Sequence, residues 1–177
     1  AKDLHVGQKI AVVKEYPPVT TPPSLSVGTA ELVGWVIGDG YVNKKMNGGE
    51  VTTETEEETE WLKNLIEREF GEIPTSQKYR GKNAYRVYLN SRVARYLGEL
   101  GLTKRGSFKE VPRKLFFEPN EIIAGLLRGM FEADGSVNWM GAKKADGTYS
   151  SLKINLWTIS PRLAEDIQFM LCRLGIV

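Results

Sequence analysis

At 177 residues and 41% hydrophobic content the chain can bury a real core in one or two compact units, and Arg128 and Glu132 interrupt the apolar run nearest to membrane length. One cysteine, Cys172, excludes a disulfide framework and reads as a core residue. One histidine, His5, leaves almost no material for a histidine zinc site or a Ser-His-Asp triad. Nothing at the N-terminus resembles a secretory signal, so the expected location is intracellular.

Residues 16–26, with Pro17, Pro18, Pro22 and Pro23, read as an extended linker. A helix follows from Ala30 to Asp39, then a hairpin in which Asn47-Gly48-Gly49 turns between Tyr41-Val42 and Val51-Thr52-Thr53. Residues 59–70 place Trp61, Leu62, Leu65, Ile66 and Phe70 at helical spacing, and Gly71 stops the helix. Six glutamates between 50 and 60 gather mostly at its start, where the helix dipole favours them. Strand-like runs at 75–80 and 84–89 flank Gly81-Lys82-Asn83, and their alternation sets Arg86 and Tyr88 outward, Val87 and Leu89 inward. Ser91 reads as the N-cap of a helix that ends near Leu100, before Gly101. A second cycle starts at Gly125: a helix to Asp134, a hairpin over about 136–159, and a helix from Ser160-Pro161 to Gly175 carrying Leu163, Ile167, Met170, Leu171 and Leu174.

The two cycles are one device written twice. A constant offset of 95 maps Ala30, Gly34 and Gly38 onto Gly125, Gly129 and Ala133, and Asp39-Gly40 onto Asp134-Gly135. Small residues at i, i+4 and i+8 form a narrow helical stripe that lets two backbones approach closely. A single such stripe is ordinary packing, but two in register point to the whole architecture. If the stripes pack together and run parallel, the two carboxylates arrive side by side, which is costly unless a cation joins them.

These segments resemble the paired motifs of the LAGLIDADG family, the homing endonucleases of introns and inteins. Leu32 to Gly40 and Leu127 to Gly135 align on the nine-letter signature; Glu132 stands at its first acidic position, where the first copy has Ile37. The resemblance implies an α+β fold: a pseudo-twofold duplicated αββαββα unit with saddle-shaped antiparallel sheets, the second repeat incomplete. Asp3 to Val12 is similar to the end of an intein splicing domain, although Ala1 is no nucleophile and no His-Asn pair ends the chain. The expected division is an entry segment and linker at 1–29, a first repeat at 30–116 and a second at 117–177. The rest of that second repeat, with its own lysine, would lie beyond Val177.

What the resemblance implies for chemistry is metal-dependent hydrolysis of duplex DNA, one carboxylate serving each strand. Asp39 and Asp134 would hold Mg²⁺ (or Mn²⁺), with Gly38 and Ala133 completing the metal set, and Lys109 of Phe108-Lys109-Glu110-Val111-Pro112 matches the family's Lys-x-x-Pro segment. A plain surface lysine is the competing reading of Lys109. The net charge of +2 hides eleven basic and two acidic side chains within residues 76–114, interleaved with tyrosines. The DNA contacts expected are Lys44, Lys45, Lys78, Arg80, Lys82, Arg86, Tyr88, Lys104, Arg105, Lys153 and Asn155. Arg86 would read a base edge, while Lys104 and Arg105 would meet phosphate. The expected partner is double-stranded DNA with a long asymmetric site, bound by a monomer; no membrane is involved. A catalytically silent DNA-binding protein and an RNA maturase are the alternatives.

Overall fold

The structure is a computed structural model that describes residues 5, 16, 17, 19–143, 147 and 149–176. The intein-like segment, His5 apart, lies outside the described residues, as does part of the proline-rich linker. Elements follow in the order α1 (Val27–Asp39), β1 (Gly40–Val42), β2 (Gly49–Thr53), α2 (Glu56–Phe70), β3 (Ser76–Lys78), β4 (Tyr85–Leu89) and α3 (Ser91–Leu100). Short 3₁₀ turns at Gly106–Phe108 and Arg113–Phe117 lead to α4 (Asn120–Asp134), β5 (Gly135–Lys143), β6 (Tyr149–Leu156) and α5 (Pro161–Arg173).

Local chemistry sets most boundaries. Ser26 caps α1 by accepting from the Thr29 amide at 2.9 Å, so the helix begins three residues before Ala30. Thr55 and Glu58 form a reciprocal capping box on α2, which ends at Gly71 with φ 68°. Asn90, not Ser91, caps α3, because its side chain accepts from the Arg92 and Val93 amides and leaves Ser91 as the first helical residue. In α5 the Ser160 side chain accepts from Leu163, with Pro161 in the first turn. That helix turns Met170 and Arg173 inward, so Cys172 beside them is only half-buried rather than a core residue.

The first cycle closes a four-stranded antiparallel sheet in the order β1-β2-β4-β3. Val42, Val51, Val87 and Leu89 share its inner face and are buried with Leu62, Leu65, Ile66, Val93 and Leu97 of α2 and α3 in one core. The opposite face carries Glu50, Thr52, Gln77, Arg86 and Tyr88, with Arg86 paired to Thr52 and to Gln77. In the second cycle β5 and β6 pair alone, Asn138 opposite Lys153 and Ser136 opposite Asn155. The other face of that hairpin exposes Val137, Trp139, Leu152 and Ile154. Among the described residues no helix is long and apolar enough to cross a membrane.

Candidate active site at the helix seam

The site begins with α1 against α4, the most extensively packed pair of elements in the chain. A methyl group on Gly34 would collide with the Leu126 carbonyl and stand 2.7 Å from the Met130 amide; one on Gly129 would collide with the Glu31 carbonyl and stand 3.0 Å from the Trp35 amide. Real side-chain carbons do not approach backbone this closely, so only glycine fits either position. Val27 lies against Gly125 at one end of the seam and Gly38 against Ala133 at the other. The helices therefore run parallel, and Asp39 and Asp134 come together at one end.

Neither chain bends away slowly. The Gly40 amide still donates to Val36 while its backbone is already extended, and Gly135 does the same with Phe131. Each aspartate is thus the last helical residue before a strand, at the negative pole of its helix. Burial, then the facing charge of Asp134, pushes Asp39 up to about 6 against the pull of Lys109; Glu54 and Glu58 add to the rise. Asp134 is raised by burial, with Lys109 opposing. Both carboxylates are thus held above their ordinary range at the same helix end.

Lys109 comes from the strap between the two cycles. Its ammonium donates to the Gly38 carbonyl, and burial lowers its pKa while Asp134 and Asp39 oppose that fall. The cap of α5 and two residues within the helix hold the strap by its backbone. Ser160 Oγ donates to the Lys109 carbonyl at 2.6 Å, Asp166 accepts from the Val111 amide at 3.0 Å, and Arg173 donates to the Phe116 and Glu118 carbonyls. Sequence reading missed these three; the signal was a charged Asp166 and Arg173 on the inward face of an otherwise amphipathic helix. A cleft of about 340 Å³ opens beside the pair, lined by Gly38, Lys109, Asp134, Trp157, Ile159 and Leu163 among others.

Among the described residues no third Asp, Glu, His or Cys joins the carboxylates. What the structure brings together is oxygen alone: the two carboxylates and the Gly38 carbonyl, which accepts from Lys109. That set fits a hard divalent cation such as Mg²⁺, which uses one or two carboxylates and fills its remaining positions with water and substrate phosphate.

The pair without metal is a source of instability. Above pH 6 the folded chain must keep Asp39 charged against its surroundings, whereas the unfolded chain does so freely from its ordinary value of 3.8. The penalty is full above the folded value, fades as pH falls through it and vanishes below the unfolded one. Asp39 keeps an outlet to solvent, which limits the penalty to about 1 kcal/mol. With a chelator present, Asp39→Asn should raise the melting temperature at about pH 7.5 by roughly 2–4 °C and leave it nearly unchanged at about pH 4. Equal melting of both proteins at neutral pH would show that neither burial nor the facing carboxylate penalises the Asp39 charge.

The expected DNA contacts divide into three groups. Lys44 and Lys45 sit exposed in the β1–β2 turn, and Lys78, Arg80 and Lys82 extend along the β3–β4 turn. Arg86 lies 3.6 Å over the Tyr79 ring, with Glu50 at 3.9 Å, and the Tyr88 hydroxyl donates to Gln77 at 3.0 Å. Lys153 and Asn155 share the polar face of β6. The loop residues are more engaged than the sequence suggested: Lys104 pairs with Glu110 at 2.6 Å, and Arg105 stacks 3.6 Å over Tyr41.

Residues 121–177 match the family described as the LAGLIDADG-like domain. The chain aligns over 98% of its length, at 28% identity, with 20% of a replicative DNA helicase DnaB from Nostoc sp.. It aligns over its whole length, at 25% identity, with 9% of a replication factor C small subunit from Methanocaldococcus jannaschii. The chain thus spans only about a fifth, or less, of these relatives. A crystal structure of I-DmoI in complex with DNA and Mn superposes with TM-score 0.55 at 16% identity, covering 85% of this chain and 80% of that one. The chain therefore has the α+β fold of I-DmoI, and the second cycle falls within the part that matches the LAGLIDADG-like domain.

Proposed function

We propose that the chain is a site-specific homing endonuclease that makes a double-strand break in duplex DNA with Mg²⁺ or Mn²⁺. The observation that carries this reading is the convergence of Asp39 and Asp134, with Lys109 between, at one end of a parallel glycine seam. A mere packing interface has no reason to place two repelling carboxylates there. Asp39 and Asp134, with the Gly38 and Ala133 carbonyls, hold the cation. Charge stabilisation of the phosphoryl oxygens is what a bound divalent ion supplies. Lys109, held by its backbone and kept partly from water, presents an ammonium where negative charge develops. The outer sheet faces would lie against the duplex. They differ between cycles, with Arg86, Tyr88 and Gln77 on one and Asn138, Lys153 and Asn155 on the other, which supports an asymmetric target.

The intein reading has a separate support. A helicase and a replication factor subunit, unlike in name, share this one segment as a small part of each, as expected of an inserted element. Selection of cleaved duplexes from a randomised library, with Mg²⁺ and with chelator, tests the main proposal. Metal-dependent cleavage at one sequence is expected. Sequence-specific binding without cleavage would establish the silent binder instead, and a preference for RNA the maturase.

The two kinds of basic residue should separate in binding. Arg86→Ala removes a fork on the outer sheet face and should relax preference at one base position by about 1–3 kcal/mol. Lys104→Ala should weaken all sequences alike and flatten the salt dependence by about one unit of log–log slope, provided DNA draws the ammonium from Glu110. Titrations over a salt series on target and single-base variants read both. Uniform weakening by Arg86→Ala would make β4 a phosphate rail only.

A further inference from the structure

The outer face of the first sheet carries an acid where a surface that meets phosphates has least use for one. Glu50 stands opposite Tyr41 on one side and Tyr88 on the other, in the row next to Thr52, Arg86 and Gln77. Its side chain is only 18% exposed, unlike Glu56 and Glu57, which lie in solvent at the start of α2. Nor does the hairpin require an acid there. Ser136 matches Tyr41 under the offset of 95, and the residue opposite Ser136 is Asn155.

Arg86, beside Glu50, is held in place without being closed upon. Its guanidinium carbon lies 3.6 Å over the Tyr79 ring, and a planar cation stacked on an aromatic face keeps one orientation. Tyr79 is fixed in turn, since its amide donates to the Ala84 carbonyl at 2.8 Å across the β3–β4 turn. Glu50 stands 3.9 Å from Arg86 Nε, beyond hydrogen-bond distance. That Nε is buried and has no hydrogen-bond partner among the described residues. An ion pair that served the fold alone would close to about 2.7–2.9 Å and satisfy it. Here the fork and the carboxylate stand side by side instead.

One base pair in a major groove supplies what both heads accept. Guanine offers its N7 and O6 acceptors to an arginine fork, and its cytosine offers an N4 amino group to a carboxylate. O6 and N4 are neighbours in the groove, as the fork and the acid are neighbours on the sheet. An A·T pair fits neither head. Adenine sets its N6 donor against one arm of the fork, and thymine turns its O4 acceptor toward the carboxylate.

We propose that Arg86 and Glu50 together read one G·C pair, and that Tyr79 is the positioning residue that sets the fork. The proposal rests on the duplex-DNA reading above and names one feature of the target. It concerns binding and not cleavage.

The test uses the 177-residue chain, with Ca²⁺ in place of Mg²⁺, and a duplex recovered by binding selection from a randomised library. Dissociation constants are measured with every position changed in turn to the other three base pairs. The parent should prefer G·C by about tenfold or more at one position, and Arg86→Ala and Glu50→Ala should both lose that preference at that position only. Glu50→Ala should bind an unrelated duplex as well as the parent or better, because a negative charge has left the face. Tyr79→Leu should lose most of the preference, whereas Tyr79→Phe, which keeps the ring, should retain it. Preference is a ratio within one variant, so any loss of folded protein cancels. No sequence-specific binding by the parent would overturn this proposal together with the DNA reading. Specific binding in which Glu50→Ala keeps the preference, loses it at every position alike, or shares with Arg86→Ala a position that is not G·C would overturn this proposal alone. So would equal preference in Tyr79→Leu and Tyr79→Phe.

Discussion

Asp39→Asn and Asp134→Asn should each reduce double-strand cleavage by about 10²–10³-fold or more, the order seen when one electrostatic stabiliser is lost from a transition state. Binding of the target duplex should stay within a few-fold of the parent. Asparagine preserves the shape of each helix end but removes the charge that a divalent cation needs. The outer sheet faces that would grip DNA lie on other elements and are untouched. Because each carboxylate would serve one strand, residual activity in either variant should be nicking of a single strand. Quantifying nicked and linear products on a supercoiled plasmid with the selected target separates the cases. Full linearisation by either variant would remove the aspartates from the chemistry, whatever the fold.

Much of this arrangement was legible because it is repeated. One small-residue stripe says little, but Ala30/Gly34/Gly38 and Gly125/Gly129/Ala133 in fixed register describe two surfaces that suit only each other, and the close contacts of Gly34 and Gly129 are the physical content of that pattern. The alternation at Arg86–Leu89 gave the sheet face for the same reason, since a period of two leaves no other choice. What sequence could not show depended on long-range partners. Asp166 reads as one more solvent-facing acid on a helix until the Val111 amide is seen against it, 55 positions away in sequence. Arg173 reads as a favourable charge in a last turn, whereas it is buried under the strap. Ser91 looked like a cap because serine prefers that position; Asn90 prefers it as strongly and stands one residue earlier. Lys104 and Arg105 looked free because composition does not reveal Glu110 or Tyr41 beside them.

Gly129→Leu and Gly34→Leu should prevent cooperative folding, and even Gly129→Ala should be severe. The methyl group of alanine at 129 meets the Glu31 carbonyl, with the Glu31 carbonyl carbon at 2.9 Å and the Trp35 amide at 3.0 Å. These are backbone atoms, fixed by the helical hydrogen bonds of α1, so relief requires the helices to move apart. Separation would thin the contacts of Leu126, Met130, Val33 and Ile37, all buried in the same core. Overpacking of a side chain against side chains costs about 1–3 kcal/mol, and rigid backbone should place Gly129→Ala at or above the top of that range. At roughly 2–4 °C per kcal/mol for a chain of this size, the melting temperature should fall by about 6–12 °C. Gly48→Ala is the control, because its added methyl would find its nearest neighbour at 3.5 Å, an ordinary contact. That change should move the melting temperature by no more than a degree or two. Thermal denaturation followed by circular dichroism measures all of them in one buffer. If Gly129→Ala melts with Gly48→Ala, the two backbones are not in contact. The aspartates would then lose the scaffold that brings them together.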